Sequence, residues 1–286
     1  MNLCDIRDIH ALMRRHGFSF SKGLGQNFLC DASVPPLIAE GAGLDSDTCV
    51  LEVGPGVGAL TQQLCKHAKS VICVELDRRL PPLLDETLSA FDNVRVVTGD
   101  ILKIDIRQLC ADHFGAQRAV VCANLPYYIT TPAITALIES GAFDSVTVMV
   151  QKEVAQRICA RAGTASYGAF TVYVNNFADA RLLFEVPQDS FVPAPKVDSA
   201  VIRLDLLDMP RVAENQKLFF RVVKACFAQR RKTLLNCLYS AFSAEFTKEQ
   251  LKELLKSCDI NSESRGETLE LKQFEQIAQK LREKIG

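Results

Sequence analysis

The chain has 286 residues, room for one large or two modest domains, and its 48% hydrophobic and 23% charged content is that of an ordinary globular protein. Its net charge of −1 excludes a uniformly basic nucleic-acid binder. No run of about 18 apolar residues reads as a membrane span, and the start, Met1 to Asp8, has no signal-peptide core, so a cytoplasmic protein with no membrane contact is expected. The 11 cysteines form no C-x-x-C pair, and Cys49, Cys65, Cys73, Cys122 and Cys226 sit within apolar runs, so they read as reduced core residues. The 4 histidines are scattered without ligand spacing, and no metal site is expected.

From the N-terminus, the first strong pattern is Cys49-Val-Leu-Glu-Val-Gly54, a buried strand leading into Gly54-Pro-Gly-Val-Gly58 and an amphipathic helix at 59–67. A strand, a glycine turn and a helix make a nucleotide-binding unit, in which Gly54 and Gly56 let the backbone approach a ligand. Gly54, Gly56 and Ala59 also satisfy the dinucleotide fingerprint, so this loop alone leaves NAD and S-adenosylmethionine both open. The next strand, 70–75, ends in Glu75, about 20 residues on, where a carboxylate can take both ribose hydroxyls. A third strand from Val94 leads to Asp100, an acceptor for an adenine amino group.

A fourth apolar run, Ala119-Val-Val-Cys-Ala-Asn124, opens into Asn124-Leu125-Pro126-Tyr127. Asn124 offers a side-chain carbonyl, Pro126 removes a backbone donor and turns the Leu125 carbonyl toward a pocket, and Tyr127 supplies a flat face. Two acceptors and a ring suit an exocyclic aromatic amine. Strand ends in Gly, Glu, Asp and then Asn-Leu-Pro-Tyr describe an adenosine-containing cofactor beside a second amine, which fits methyl transfer; hydride transfer gives Asn124 no task.

Farther on, helices are predicted at 132–139 and 152–158, with a strand at 145–150 between them. Segment 163–168 is the expected mobile loop. Strands at 181–186 and 197–204 have no helix between them and are expected to form an antiparallel edge on a mostly parallel sheet. From about 208 the pattern is helical, at 219–227, 233–239, 248–255 and 274–281. The predicted fold is α/β, a Rossmann-like sheet over 1–207 with 1–30 contributing to the site, followed by a small all-helical domain over 208–286. Charge divides the same way: residues 1–194 carry 16 basic and 21 acidic side chains, and 195–286 carry 17 and 13. Arg230-Arg231-Lys232 interrupts a helical pattern in the basic half, and Arg14-Arg15-His16 with Lys22 forms a second cluster; both are candidate phosphate contacts.

Leu24-Gly-Gln-Asn-Phe-Leu29, Glu52-Val-Gly-Pro-Gly-Val-Gly58, Val74-Glu-Leu-Asp77, Gly99-Asp100, Asn124-Leu-Pro-Tyr127, Phe191-Val-Pro-Ala-Pro-Lys-Val-Asp-Ser199, Phe227-Ala-Gln-Arg-Arg-Lys-Thr-Leu234 and Arg265-Gly-Glu-Thr-Leu269 occur in this order. Together they resemble the ribosomal RNA adenine N6,N6-dimethyltransferases, in particular the bacterial small-subunit branch, from about residue 20 to Leu281; Met1 to about Phe18 carries no motif. The resemblance implies methyl transfer from S-adenosylmethionine to two adjacent adenines in the 3′-terminal hairpin of small-subunit rRNA, on an assembling 30S particle, by a monomer. It carries cofactor binding to Asn27, Leu29, Gly54, Glu75, Asp100 and Asn124. Catalysis would rest on Asn124, the Leu125 carbonyl, Pro126 and Tyr127, with Phe191 closing the other face of the base, and rRNA binding on Arg230, Arg231 and Lys232. Two alternatives stand beside it: a large-subunit rRNA adenine methylase of the antibiotic-resistance type, and a weakly catalytic ribosome-assembly factor.

Overall fold

The computed structural model describes residues 1–20 and 25–285; Lys22 and Leu24, noted above, lie outside the described residues. In chain order the elements are α1 (Ile6–Arg15), β1 (Phe28–Leu29), α2 (Val34–Gly41), β2 (Cys49–Val53), α3 (Ala59–His67), β3 (Ser70–Glu75), α4 (Pro81–Thr87), β4 (Val94–Thr98), α5 (Ile106–Phe114), β5 (Ala119–Asn124), α6 (Thr130–Glu139), β6 (Ser145–Gln151), α7 (Lys152–Ile158), α8 (Ala169–Phe177), β7 (Ala178–Val186), β8 (Phe191–Val192), β9 (Ser199–Leu206), α9 (Gln216–Phe227), α10 (Leu234–Phe242), α11 (Lys248–Ser257) and α12 (Leu271–Ile285). They fall into two compact units, Met1–Ala155 with Arg181–Leu206, and Gln156–Ala180 with Leu207–Gly286.

The first unit is built on a seven-stranded sheet of order β4-β3-β2-β5-β6-β9-β7. Strands β2 to β6 pair in parallel and β9 runs antiparallel to β6, with Ser145 opposite Asp205 and Gln151 opposite Ser199. The continuous apolar runs of β2, β3 and β5 are what a parallel sheet covered on both faces requires; every residue of β2 is buried. Burying each such Val, Leu or Ile contributes about 1.5–3 kcal/mol. The first two crossovers carry the chain from β2 to β3 and β4 on one side, and the chain then returns to β5 and β6 on the other. That reversal opens a crevice between the carboxyl ends of β2 and β5, the place where open α/β sheets bind ligands.

Two elements that the sequence reading did not assign support the crevice. Helix α1, capped by Asp5 through the Arg7 amide, buries Ile9, Leu12 and Met13 in a cluster with Phe28, Val57, Leu80 and Leu84. Its basic end is tied down, because Arg15 and His16 both pair with Glu86 on α4. Strands β1 and β8 form a separate ribbon with Phe28 opposite Val192 and Leu29 opposite Phe191.

The second unit is helical apart from the first residues of β7. It takes in 156–180, which the sequence reading assigned to the first domain, because Tyr167 and Val172 are buried with Phe219, Val222, Leu238 and Phe274. The expected mobile loop 163–168 is anchored here: the Gly163 amide donates to the Glu267 carbonyl at 2.7 Å, and Tyr167 is 3% exposed. Gly266 explains part of the Arg265-Gly-Glu-Thr-Leu269 motif, since a Cβ there would lie 2.5 Å from the Cys226 carbonyl oxygen, so only glycine allows the turn to meet α9. A Thr247–Gln250 capping box starts α11.

Candidate active site

At the carboxyl ends of β2 to β5, within the first unit, lies a cavity of about 240 Å³. Its wall is formed by the segments 25–29, 54–57, 74–76, 99–102 and 124–129, so each strand-end motif noted in the sequence reaches one space. The glycine turn after β2 has left-handed backbone at Gly54, Gly56 and Gly58 (φ 69°, 59° and 91°). At Gly56 a Cβ would also sit 3.1 Å from the Phe28 ring, so the turn and the β1 segment close on each other only with glycine between them. Where Gly54 would carry its Cβ, the Pro126 ring is 3.8 Å away, which sets the glycine turn directly beside the Asn124 loop.

Glu75 at the end of β3 is 6% exposed. Its Oε1 accepts from the Asp77 amide at 2.7 Å, and the Gly56 and Leu76 amides also face the carboxylate. Burial outweighs these donors and pushes its pKa up to about 7, with nearby Asp77 adding to the rise. Asp100 is half-buried; Oδ1 accepts from the Leu102 amide at 3.0 Å and Oδ2 stands 3.5 Å from Lys103 Nζ. Asn124 is half-buried and donates through Nδ2 to the Asn27 carbonyl at 3.4 Å, which leaves Oδ1 as its acceptor. Asn27 in turn donates to the Gly25 carbonyl at 3.2 Å. The Leu125 amide continues the pairing to β6 by donating to the Met149 carbonyl at 3.1 Å, and Pro126, at φ −56° and ψ 130°, then turns the chain. Tyr127 lines the cavity with its hydroxyl 2.6 Å from Ser199 Oγ on β9, so the ring is held by a neighbouring strand. Burial raises its phenol pKa against the effect of that bond.

Asn27, Leu29, Gly54, Gly56, Glu75, Asp100, Asn124, Leu125, Pro126 and Tyr127 are thus brought together. Leu29 is 4% exposed and reaches the cavity from a side chain anchored in the core. Phe191 is placed differently. It is 3% exposed, pairs with Leu29 across the β1–β8 ribbon and packs with Val34, Val186 and Val201, away from the cavity wall. Its apolar ring is buried in that core, where it packs the ribbon that follows Asn27 in the chain. Arg230, Arg231 and Lys232 belong to the second unit, in the turn between α9 and α10. Arg230 donates to the Ala165 carbonyl and lies 3.7 Å from Glu267, while Arg231 and Lys232 are exposed.

Three residues lining the cavity, Gln26, Tyr128 and Glu52, were not assigned from the sequence, nor was Asp77, which lies outside the lining. Gln26 and Asp77 are joined by a 2.9 Å hydrogen bond, and Tyr128 stands at the rim with 54% exposure. Glu52, in mid-strand, is 1% exposed and accepts from Thr61 Oγ1 at 2.6 Å and Cys73 Sγ at 3.4 Å. Burial lifts its pKa to about 7. Only its charge within an apolar run could have drawn notice. A carboxyl whose folded pKa lies above the unfolded value of 4.5 contributes stability that is full below about 4.5 and lost as pH rises through about 7. Glu52→Gln is therefore expected to flatten the fall in stability between pH 5 and pH 8 by about 3 kcal/mol. Urea midpoints at the two pH values check this, and parallel curves for both proteins would refute it.

Among the described residues no group of three or more His, Cys, Asp or Glu could hold a metal ion, and no helix is long and apolar enough to cross a membrane. The donor set suits an adenosine cofactor instead: two carboxylates, a side-chain amide and a cradle whose glycines leave room for a ligand.

Comparison with known proteins agrees with this geometry. The chain is 46% identical over 274 residues to ribosomal RNA small subunit methyltransferase A of Geobacillus thermodenitrificans, covering 94% of each chain. It is 44% identical over 286 residues to the protein of that name from Streptococcus gordonii, covering 99% of each. Among solved structures, a dimethyladenosine transferase from Plasmodium falciparum has a TM-score of 0.76 at 26% identity, over 90% of this chain and 98% of that one. The 23S rRNA methyltransferase ErmE has a TM-score of 0.69 at 26% identity, over 90% of this chain and 100% of that one. The family described as ribosomal RNA adenine dimethylase matches residues 17–279. With a match across both structural units, the chain belongs to the ribosomal RNA adenine dimethylase family.

Proposed function

We propose that this protein transfers methyl groups from S-adenosylmethionine to N6 of two adjacent adenines in the 3′-terminal hairpin of small-subunit rRNA, as a monomer acting on the assembling 30S particle in the cytoplasm. The observation that carries this reading is the abutment of the glycine turn and the Asn124 loop on one cavity, which supports a cofactor pocket beside an amine-binding one. The relatives bearing the small-subunit name, at 43–46% identity, favour that subunit over the large one, whose enzyme matches at 26%. An assembly factor with little catalysis would have no use for this intact acceptor set.

S-adenosylmethionine, when bound, supplies an electrophilic sulfonium methyl. Glu75 would hold its ribose hydroxyls, Asp100 its adenine amino group, and Asn27, Leu29 and the Gly54 turn the remainder. Asn124 Oδ1 and the Leu125 carbonyl accept the two N–H bonds of the target amine, drawing its nitrogen toward sp³ and aligning the lone pair on the methyl. Tyr127 stacks on the base, which has left its own stack to enter. Two acceptors would also stabilise the positive charge that grows on the nitrogen as the sulfonium's S–C bond breaks and the thioether leaves; the cationic product would then lose its surplus proton to water, so the site needs position more than a strong base.

Radiolabelled methyl transfer to undermethylated 30S particles, 50S particles and free rRNA, followed by mapping of the product base, tests the reading. Dimethyladenosine in the 30S rRNA is expected; label on 50S adenine, or none, would overturn it. The second unit should supply RNA affinity. Replacing Arg230, Arg231 and Lys232 together with Ala is expected to weaken 30S binding and reduce the slope of log affinity against log salt by about two, since Arg230 is already engaged by Glu267. Filter binding at several salt concentrations measures it, and an unchanged slope would return these residues to a solvated turn.

A further inference from the structure

The Val74-Glu-Leu-Asp77 motif contains one residue that the proposed chemistry does not use. Asp77 is 6% exposed, unusual for a carboxylate just after a strand end. Each of its oxygens is engaged. Oδ1 accepts from the Arg79 backbone amide at 3.1 Å and from Arg79 Nε at 2.9 Å; Oδ2 accepts from the Arg79 guanidinium at 2.6 Å and from Gln26 Nε2 at 2.9 Å. The amide of Asp77 itself donates to Glu75 Oε1 at 2.7 Å.

These contacts join parts of the chain that the cofactor site needs in register. The bond from the Arg79 amide closes a side-chain turn over residues 77–79, which fixes the Asp77 amide where it meets Glu75. Gln26 directly precedes Asn27, whose carbonyl accepts from Asn124. The Arg79 guanidinium stands 4.9 Å from the centre of the Phe18 ring, Phe18 stacks on Phe28 at 6.2 Å, and Phe28 packs at Gly56. One buried carboxylate therefore ties the ribose-binding strand end, the segment carrying Asn27 and the aromatic wall behind the glycine turn. It also gives the motif-free N-terminal segment a task, since Phe18 reaches the network through Arg79.

We propose that Asp77 is a positioning residue for cofactor binding: it holds Glu75 and the Gln26–Asn27 segment in the arrangement that grips the ribose, without itself touching the reacting atoms. The inference rests on the reading of the cavity as the S-adenosylmethionine site. Positioning of this kind acts on the affinity for cofactor, because the ordered arrangement must otherwise be formed at the moment of binding. It has little effect on the methyl-transfer step once the cofactor is seated, since bound cofactor itself then orders the Asn27 segment that Asn124 meets, and Tyr127 is held separately by Ser199.

The test is calorimetric titration with S-adenosylmethionine, together with KM and kcat on undermethylated 30S particles, for wild type, Asp77→Ala, Asp77→Asn, Gln26→Ala, the Asp77→Ala/Gln26→Ala pair and Glu75→Ala. Asp77→Ala is expected to raise the cofactor Kd and KM about tenfold while kcat at saturating cofactor stays within about threefold. Gln26→Ala is expected to raise Kd by a smaller factor, and the double variant to be no weaker than Asp77→Ala, because both remove one link. Asp77→Asn keeps an oxygen for the Arg79 amide and should recover part of the loss, and it serves with Gln26→Ala if Asp77→Ala does not fold. A merely structural role would lower the melting temperature without this KM-selective, non-additive pattern. Unchanged Kd in the Asp77 variants, additive losses, or a fall in kcat at unchanged Kd would overturn the inference. If wild type binds and Glu75→Ala does not, such a result removes the role of Asp77 alone; if wild type fails to bind, the reading of the cavity falls with it.

Discussion

Replacing Asn124 with Ala is expected to lower single-turnover methyl transfer by about 10²-fold or more, the scale seen when one positioned polar group is lost from an active site. Oδ1 is the acceptor that the fold presents, since Nδ2 is turned to the Asn27 carbonyl. Cofactor binding should weaken by no more than a few fold, the effect of losing that single 3.4 Å contact to the segment carrying Asn27. Binding to 30S particles should survive, because the phosphate contacts proposed for it are distant in sequence from this loop. The measurement is paired on one variant: single-turnover methylation and equilibrium binding. Equal losses in both would make Asn124 a support for the Pro126 turn, and no loss in either would withdraw the amine-binding role.

Glu75→Ala is expected to weaken S-adenosylmethionine binding by about 2–4 kcal/mol, through loss of two charge-assisted hydrogen bonds to the ribose. Its pKa of about 7 adds a pH signature. Both ribose hydroxyls require the ionised carboxylate, so wild-type affinity should fall as pH drops below about 7, by up to about tenfold per unit, while the Ala variant shows no such slope. Stability should move the opposite way. The folded pKa lies above the unfolded 4.5, so the carboxyl's contribution to stability is full below about 4.5 and lost as pH rises through about 7. The neutral Glu75→Gln protein should therefore be at least as stable as wild type at pH 8 while binding cofactor less well. Calorimetric titration at pH 6 and pH 8 with thermal melts checks both signs; affinity unchanged in Glu75→Ala would end the assignment.

Much of the site was legible because its residues lie at the ends of elements with a clear period. The runs that become β2, β3 and β5 are largely apolar, as strands covered on both faces must be, with Glu52 the mid-strand exception; Gly54, Glu75 and Asn124 stand where those runs stop, and Asp100 stands two residues past β4. The antiparallel edge was legible for a related reason, since strands at 181–186 and 197–204 leave no room for a crossover helix, and β9 does run antiparallel to β6. Helix α1 and the β1–β8 ribbon were not. A two-residue strand has no period to read; α1 does carry one, with Ile9, Leu12 and Met13 at helical spacing after the Asp5 cap, but that period does not say which distant segment the helix packs on.

What the sequence by itself determined is the family, the Rossmann-like fold, and the glycines, carboxylates and amide that stand at the strand ends around the cavity. Those follow from residue type and spacing along one chain. Tertiary structure alone decided which distant segments meet. Phe191 is a core residue because the ribbon places it opposite Leu29, and 156–180 belongs with the helical unit because Tyr167 and Val172 find their apolar partners there. Asp77 is buried because Arg79 and Gln26 converge on it, and the Glu52 and Glu75 pKa values rise because β2 and β3 enclose them. Burial, and with it the cost of charge, belongs to the assembled fold and cannot be read from neighbours in sequence.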